Sequence, residues 1–349
     1  MNEAAAPSGN ILFAVRGRLG HAMMNRPKAL NALTLGMSQA LDRQLKAWAQ
    51  DPGIDTVAIT GAGDRAFCAG GDVRALYESG PGGQLTRDFY WHEYRLNRRI
   101  HRFPKDYVAL IDGIAMGGGV GVSMTGRFRA LSEKALFAMP ETGIGLFPDV
   151  GATYFLTRTP GQLGMFLGLT GARLKAADLV YCGLATHYVP SGRMTELLAA
   201  LESESATAAL ARFARSAGAS PLAAHRAAID RCFAGDTIEA ILDALVREKS
   251  GWASTTHDAL LQKSPTSLRV TLRQLRTGAS LDFEDCMRLE YRLVQRFMAG
   301  GDFFEGVRSV VIDKDNAPRW NPARLEDVDP ARVDKYFATL GRDELTFEE

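Results

Sequence analysis

Cysteine is scarce in this chain of 349 residues, and the four present, Cys68, Cys182, Cys232 and Cys286, lie far apart with no CxxC pair. Structural zinc and a disulfide framework are therefore excluded, and a reducing compartment is implied. A cytoplasmic location is the expectation. The six histidines, at 21, 92, 101, 187, 225 and 257, show no HExxH or similar spacing, so none is assigned to a metal or a catalytic dyad. Charge of one sign is lacking too. The net charge is +1 with no long basic run, which argues against nucleic acid and anionic membrane as partners. No apolar run approaches the roughly 18 residues of a membrane span. Met1 to Asn10 is small and polar, without a basic start before an apolar stretch, which predicts no secretory signal. No glycine-rich segment carries GK[ST], so a P-loop is excluded.

What is present is ample apolar material, 46% of residues, enough for one large domain or a core with an appendage. The first two thirds read as mixed α/β. Ile11–Val15 and Gly20–Met24 form paired strands about a turn near Gly17. Thr34 caps a helix to about Gln50, with Met37, Leu41, Leu45 and Trp48 at helical spacing, and Pro52-Gly53 stops it. Thr56–Thr60 and Val108–Ile111 are strands, each followed by glycines, and strands alternating with helices predict a layered α/β fold. From about Ser220 the pattern becomes helical, with helices expected over 237–249, 266–276 and 284–298. The predicted division is a core over 1–220 and a mainly helical region over 221–349. Gly80-Pro81-Gly82-Gly83 reads as a mobile surface turn.

Two features carry chemistry. The first is Pro140 to Gly151, where Glu141 and Asp149 stand in an apolar, Gly- and Pro-rich loop with no basic neighbour. Burying an unpaired carboxylate is costly. Desolvation also raises its pKa, which suits it to proton transfer near neutrality. The alternative is that both merely cap helix ends or bind backbone amides. The second feature is the pair of glycine loops, Ala66–Val73 and Met116–Gly121. Glycine lets backbone approach a ligand, and a helix starting near Gly118 would leave its first amides without internal partners. Two such amides would make an oxyanion hole. The alternative is helix–sheet packing tight enough to demand glycine.

Asn25-Arg26-Pro27-Lys28-Ala29-Leu30-Asn31-Ala32-Leu33, the Phe67–Val73 loop, Gly117-Gly118-Gly119 and Pro140-Glu141 follow one another in an order and spacing that resemble the crotonase, or enoyl-CoA hydratase/isomerase, superfamily. Glu93-Tyr94-Arg95-Leu96-Asn97, Phe147-Pro148-Asp149-Val150-Gly151 and a tail with Phe304-Glu305-Gly306-Val307-Arg308, Ile312-Asp313-Lys314-Asp315 and Pro318-Arg319-Trp320 resemble its branch of 3-hydroxyacyl-CoA hydrolases. The resemblance covers nearly the whole chain.

It implies a crotonase-like spiral of ββα units with a C-terminal helical region. It implies hydrolysis of a short-chain 3-hydroxyacyl-CoA thioester in valine catabolism, with no metal or redox cofactor and with coenzyme A as part of the substrate. The amides of Gly71 and Gly118 would hold the thioester oxygen. Coenzyme A would lie along Lys28, Ala29 and Leu30, and along Ala69, Gly70, Asp72 and Val73, beside Gly117. Glu141 would activate water as a base or attack directly, and Asp149 would position water or the substrate hydroxyl. Glu93 would contact substrate, although its local sequence alone reads as a solvated helix glutamate paired with an arginine. The second glutamate of the hydratases would fall at Gly121, where it is missing. A hydratase, a dienoyl-CoA isomerase and a non-catalytic CoA-binding protein are the competing readings. A trimer, a hexamer and a monomer are all compatible with the family.

Overall fold

In the computed structural model, which describes residues 9–347, the chain divides into two compact units, each built from separated segments. The first comprises residues 1–72, 92–137 and 173–220, and the second 73–91, 138–172 and 221–349. The expectation about the N-terminus concerns residues that lie largely outside those described.

The strands in chain order are β1 (Ile11–Arg16), β2 (Leu19–Met24), β3 (Thr56–Gly61), β4 (Ala66–Cys68), β5 (Asp106–Ile111), β6 (Ile114–Met116), β7 (Phe128–Leu131), β8 (Leu136–Ala138) and β9 (His187–Tyr188). They form a six-stranded sheet, β1-β2-β3-β5-β7-β9, and a three-stranded sheet, β4-β6-β8. Each pair β3/β4, β5/β6 and β7/β8 gives its first strand to the large sheet and its second to the small one. That alternation is the ββα spiral. β1 and β2 are antiparallel, and the remaining neighbours in the large sheet are parallel, with Thr56 opposite Asp106 and Val108 opposite Phe128. Parallel strands buried on both faces read as near-continuous apolar runs, as Val57–Ile59 and Val108–Ile111 do.

One apolar layer joins Leu19, Ala58, Val108 and Ala130 of the sheet to Leu197, Leu210 and Phe213 of two short helices, Met194–Ala200 and Ala206–Phe213. The helix Leu35–Gln50 forms as its spacing predicts. The Thr34 hydroxyl accepts from Met37 N–H at 3.2 Å, and Met37, Leu41, Leu45 and Trp48 are buried. Fully burying such a side chain stabilises by about 1.5–3 kcal/mol.

The second unit is helical. Its long members are Pro265–Gly278 and Phe283–Ala299, within a residue or two of the expected spans. The rings of Phe147 and Phe297 pack tilted at 5.4 Å between centroids, and those of Phe297 and Tyr336 at 4.6 Å. The turn around Pro81 lies at the surface, and its Gly82 N–H donates to Met298 O at 2.9 Å. No described helix is long and apolar enough to cross a membrane.

Candidate active site

In the first unit, the segment Arg26–Leu33 is locked by its own polar groups. Asn31, fully buried at φ +57, donates from Nδ2 to Ala62 O and Ala66 O, both at 2.9 Å, and accepts from Arg26 N–H. Leu33 then zips onto the glycine loop: its N–H donates to Gly70 O and its carbonyl accepts from Asp72 N–H. Ala69 N–H donates to Leu30 O, so the two segments expected to meet coenzyme A are joined. Lys28 and Ala29 are exposed, while Leu30, Ala69, Gly70 and Gly117 are half-buried. Asp72 is engaged by Arg26 at 3.0 Å, an ion pair that closes the loop, and Val73 opens the helix Val73–Glu78.

Gly71 N–H takes no hydrogen bond among the described residues. Gly118 is the first residue of the helix Gly118–Met124, so its N–H lies outside the helix's own bonding. The two glycines face each other. A Cβ added to Gly118 would stand 3.2 Å from Gly71 N and 2.7 Å from Glu93 Oε1. Packing and free amides thus coincide at one point, and both readings of the glycines hold there. Glu93, on the helix Gln84–His101, is 1% exposed, which removes the solvated-glutamate alternative. Cys68 is also buried, and burial pushes its thiol up to about 12, so it is inert packing under the loop.

In the second unit, Glu141 opens a 3-10 turn, Glu141–Ile144, and is 4% exposed. Thr142 anchors the turn at both ends, donating from Oγ1 to Leu169 O (3.0 Å) and accepting Ser264 N–H on its carbonyl (3.1 Å). Behind the turn runs the helix Asp302–Val307. A Cβ on Gly306 would stand 2.4 Å from Ile144 O, so only glycine allows this backbone approach. Glu141 Oε2 has no hydrogen-bond partner among the described residues. Burial holds its carboxyl well above the usual carboxylate range, and the charges of Asp149 and Glu290 push the same way.

Asp149 is 4% exposed and precedes a strained step, Val150 at φ +53 and Gly151 at φ +93. A β-branched residue there costs on the order of 1–3 kcal/mol.

Glu290, which sequence reasoning did not single out, is 0% exposed and holds this step from the helix Phe283–Ala299. Burial, then Asp149, pushes its carboxyl up to about 8. A signal for it was available: the tetrapeptide Glu-Tyr-Arg-Leu occurs twice, at 93–96 and at 290–293, and both glutamates are buried. Glu141, Asp149 and Glu290 are not arranged as metal ligands, since no such group exists among the described residues.

A buried carboxylate held above its usual range is the equipment of proton transfer, and glycine amides free of backbone partners are that of oxyanion binding. The family model described as enoyl-CoA hydratase/isomerase matches residues 19–337, and the chain belongs to that family. Its fold is crotonase-like. A solved structure titled a carnitinyl-CoA dehydratase, from Mycobacterium thermoresistibile, is 44% identical with a TM-score of 0.93, over 97% of this chain and 99% of that one. Another, titled an enoyl-CoA hydratase, from Rhodobacter sphaeroides 2.4.1, is 41% identical with a TM-score of 0.91, over 97% and 100%.

More particularly, the chain is similar to curated proteins named 3-hydroxyisobutyryl-CoA hydrolase, mitochondrial. That of Gallus gallus is 47% identical over 97% of this chain and 91% of its own length. That of Homo sapiens is 44% identical over 99% and 93%. Their mitochondrial naming overturns the cytoplasmic expectation. Unpaired cysteines indicate a reducing environment, and the cytoplasm is not the only one.

Proposed function

We propose that this chain hydrolyses 3-hydroxyisobutyryl-CoA to 3-hydroxyisobutyrate and coenzyme A, a step of valine catabolism. The observation that carries the proposal is Glu141, buried and raised well above the usual carboxylate range, in a chain 44–47% identical to relatives that bear the hydrolase name. Water attacks the thioester carbonyl while Glu141 takes its proton. The oxygen becomes an oxyanion, received by Gly71 and Gly118 N–H. Collapse breaks the C–S bond, and the proton on Glu141 passes to the leaving thiolate. Asp149 orients water or the 3-hydroxyl group, and Glu93 reads that hydroxyl. The reaction balances with water alone, so no cofactor is required beyond the coenzyme A of the substrate. Gly121 stands where hydratases carry a second glutamate, which disfavours water addition to a double bond.

The test follows free thiol released from 3-hydroxyisobutyryl-CoA with a thiol reagent. Turnover at an enzymatic rate is expected. Hydration of an unsaturated acyl-CoA without thiol release would instead place the chain with the two solved structures titled hydratase and dehydratase.

A further inference from the structure

Val150 and Gly151 hold positive φ directly after Asp149, a conformation that persists only where its surroundings over-determine it. Those surroundings come from two helices more than a hundred residues further along. Glu290 Oε2 accepts from Gly151 N–H and Oε1 from Thr153 N–H, each at 2.8 Å. Gln274, on Pro265–Gly278, donates from Nε2 to Pro148 O (2.6 Å) and to Thr153 Oγ1 (2.7 Å). With its oxygen so occupied, the Thr153 hydroxyl directs its proton to Glu290. Asp149 is thus bracketed by Pro148 on one side and by Gly151 and Thr153 on the other. Glu290, Gln274 and Thr153 are all fully buried.

The residue type is informative. Two backbone N–H groups and a hydroxyl all donate to residue 290, and only a carboxylate accepts on both oxygens. A glutamine would turn an amide N–H toward one of the two donors. The titratable groups facing Glu290 are Asp149 and Glu141, with Cys286 one turn back on its own helix. The Pro265–Gly278 helix presents neutral Gln274. Asp302, on its own helix, is engaged by Ser264 and Asn321, and Tyr336 of Pro330–Phe337 packs on Phe297. Cations near these groups include Arg158, which acts on Cys286, and Lys263, whose Nζ would stand 3.3 Å from a Cβ at Gly143 in the Glu141 turn.

We propose that Glu290 is a positioning residue for thioester hydrolysis: together with Gln274 it fixes the turn that carries Asp149. This rests on the assignment of Glu141 as the base. Burial raises the carboxyl of Glu141 most, then Asp149, and Glu290 adds to them in the range where it ionises, around 8 and above, so Glu290→Gln removes that last contribution.

The experiment compares Glu290→Gln, Gln274→Met and Glu141→Gln in the thiol-release assay across pH. Glu290→Gln is expected to lower kcat on the order of 10- to 100-fold, as displaced catalytic groups do. KM should stay within about twofold, because ground-state binding is untouched. The acid limb of its kcat profile should move to lower pH. Gln274→Met loosens the same turn without changing charge, so it should lower kcat and leave the limb in place. An unmoved limb in Glu290→Gln, with kcat falling only as folded protein is lost by near-UV circular dichroism, overturns the proposal. Should Glu290→Gln fail to fold, unchanged kcat in Gln274→Met overturns it. Retained turnover in Glu141→Gln overturns the base assignment itself, a result that neither other variant can imitate.

Discussion

The amides of Gly71 and Gly118 and the carboxylates of Glu141 and Asp149 are placed by opposite means. Around the amides, the fastening is local: Asn31 ties its segment to Ala62 and Ala66, only 31 and 35 residues away. Around the carboxylates it is remote: Gln274 and Glu290 reach back across 121 to 139 residues to hold the loop after Asp149. The first arrangement depends on side chains close by in sequence, Asn31 and Arg26, and on its glycines, so the substitutions that reach it are near ones. The second depends on side chains from distant helices, so distant substitutions reach it.

The largest effect should follow removal of the base. Glu141→Gln is expected to cut kcat about 100- to 10,000-fold, the usual contribution of a general base. Stability should move the other way. The folded carboxyl of Glu141 lies above its unfolded value, so its favourable contribution is full below the ordinary carboxylate range and is lost as pH rises through the folded value. Glutamine does not titrate. The Tm advantage of the variant should therefore widen as pH rises, which differential scanning calorimetry across pH would measure. Parent-like turnover would remove Glu141 from the chemistry.

Next in size is Gly118→Val. Its Cβ collides with Glu93 Oε1 and crowds Gly71 N, so the loss should approach that of one oxyanion donor, on the order of 100-fold. Because the remote fastening is untouched, the acid limb of the profile should stay where it is. Unchanged kinetics would reduce this contact to packing.

The smallest effect is on selectivity. Glu93→Ala should narrow the kcat/KM preference for 3-hydroxyisobutyryl-CoA over isobutyryl-CoA on the order of tenfold, since a buried acceptor for the hydroxyl is lost. An unchanged ratio would return Glu93 to a purely structural role.

The same contrast explains what could be read in the sequence. The helix Leu35–Gln50, the strands β3 and β5, and the helical character after Ser220 announce themselves by periodicity and caps. The short strands β4, β6 and β8 do not, because three residues carry no period. β4 lies inside the glycine loop Ala66–Val73, whose purpose reads in the sequence only as approach and freedom. Glu141 and Asp149 stood out because carboxylates are rare in apolar loops. Glu290 did not, because on a helix of mean polar character a buried glutamate looks like any exposed one. Its partners lie on the far side of the chain, and no local pattern encodes a hydrogen bond to Gly151.

Gly306 lies against Ile144 with no room for a methyl group, behind the turn that presents Glu141. Arg308, beyond it, gathers Glu305 (2.8 Å), Asp313 (2.7 Å) and Asp315 (2.6 Å) into one knot. The terminal segment is therefore the back wall of the turn that presents Glu141. A gene interrupted by a stop codon near position 300 would still encode every glycine and carboxylate motif of the first 150 residues. Counting motifs would score that product as intact, although the wall behind Glu141 would be gone. For genome reading, the length of the open frame is thus as diagnostic of a working enzyme as its signature residues.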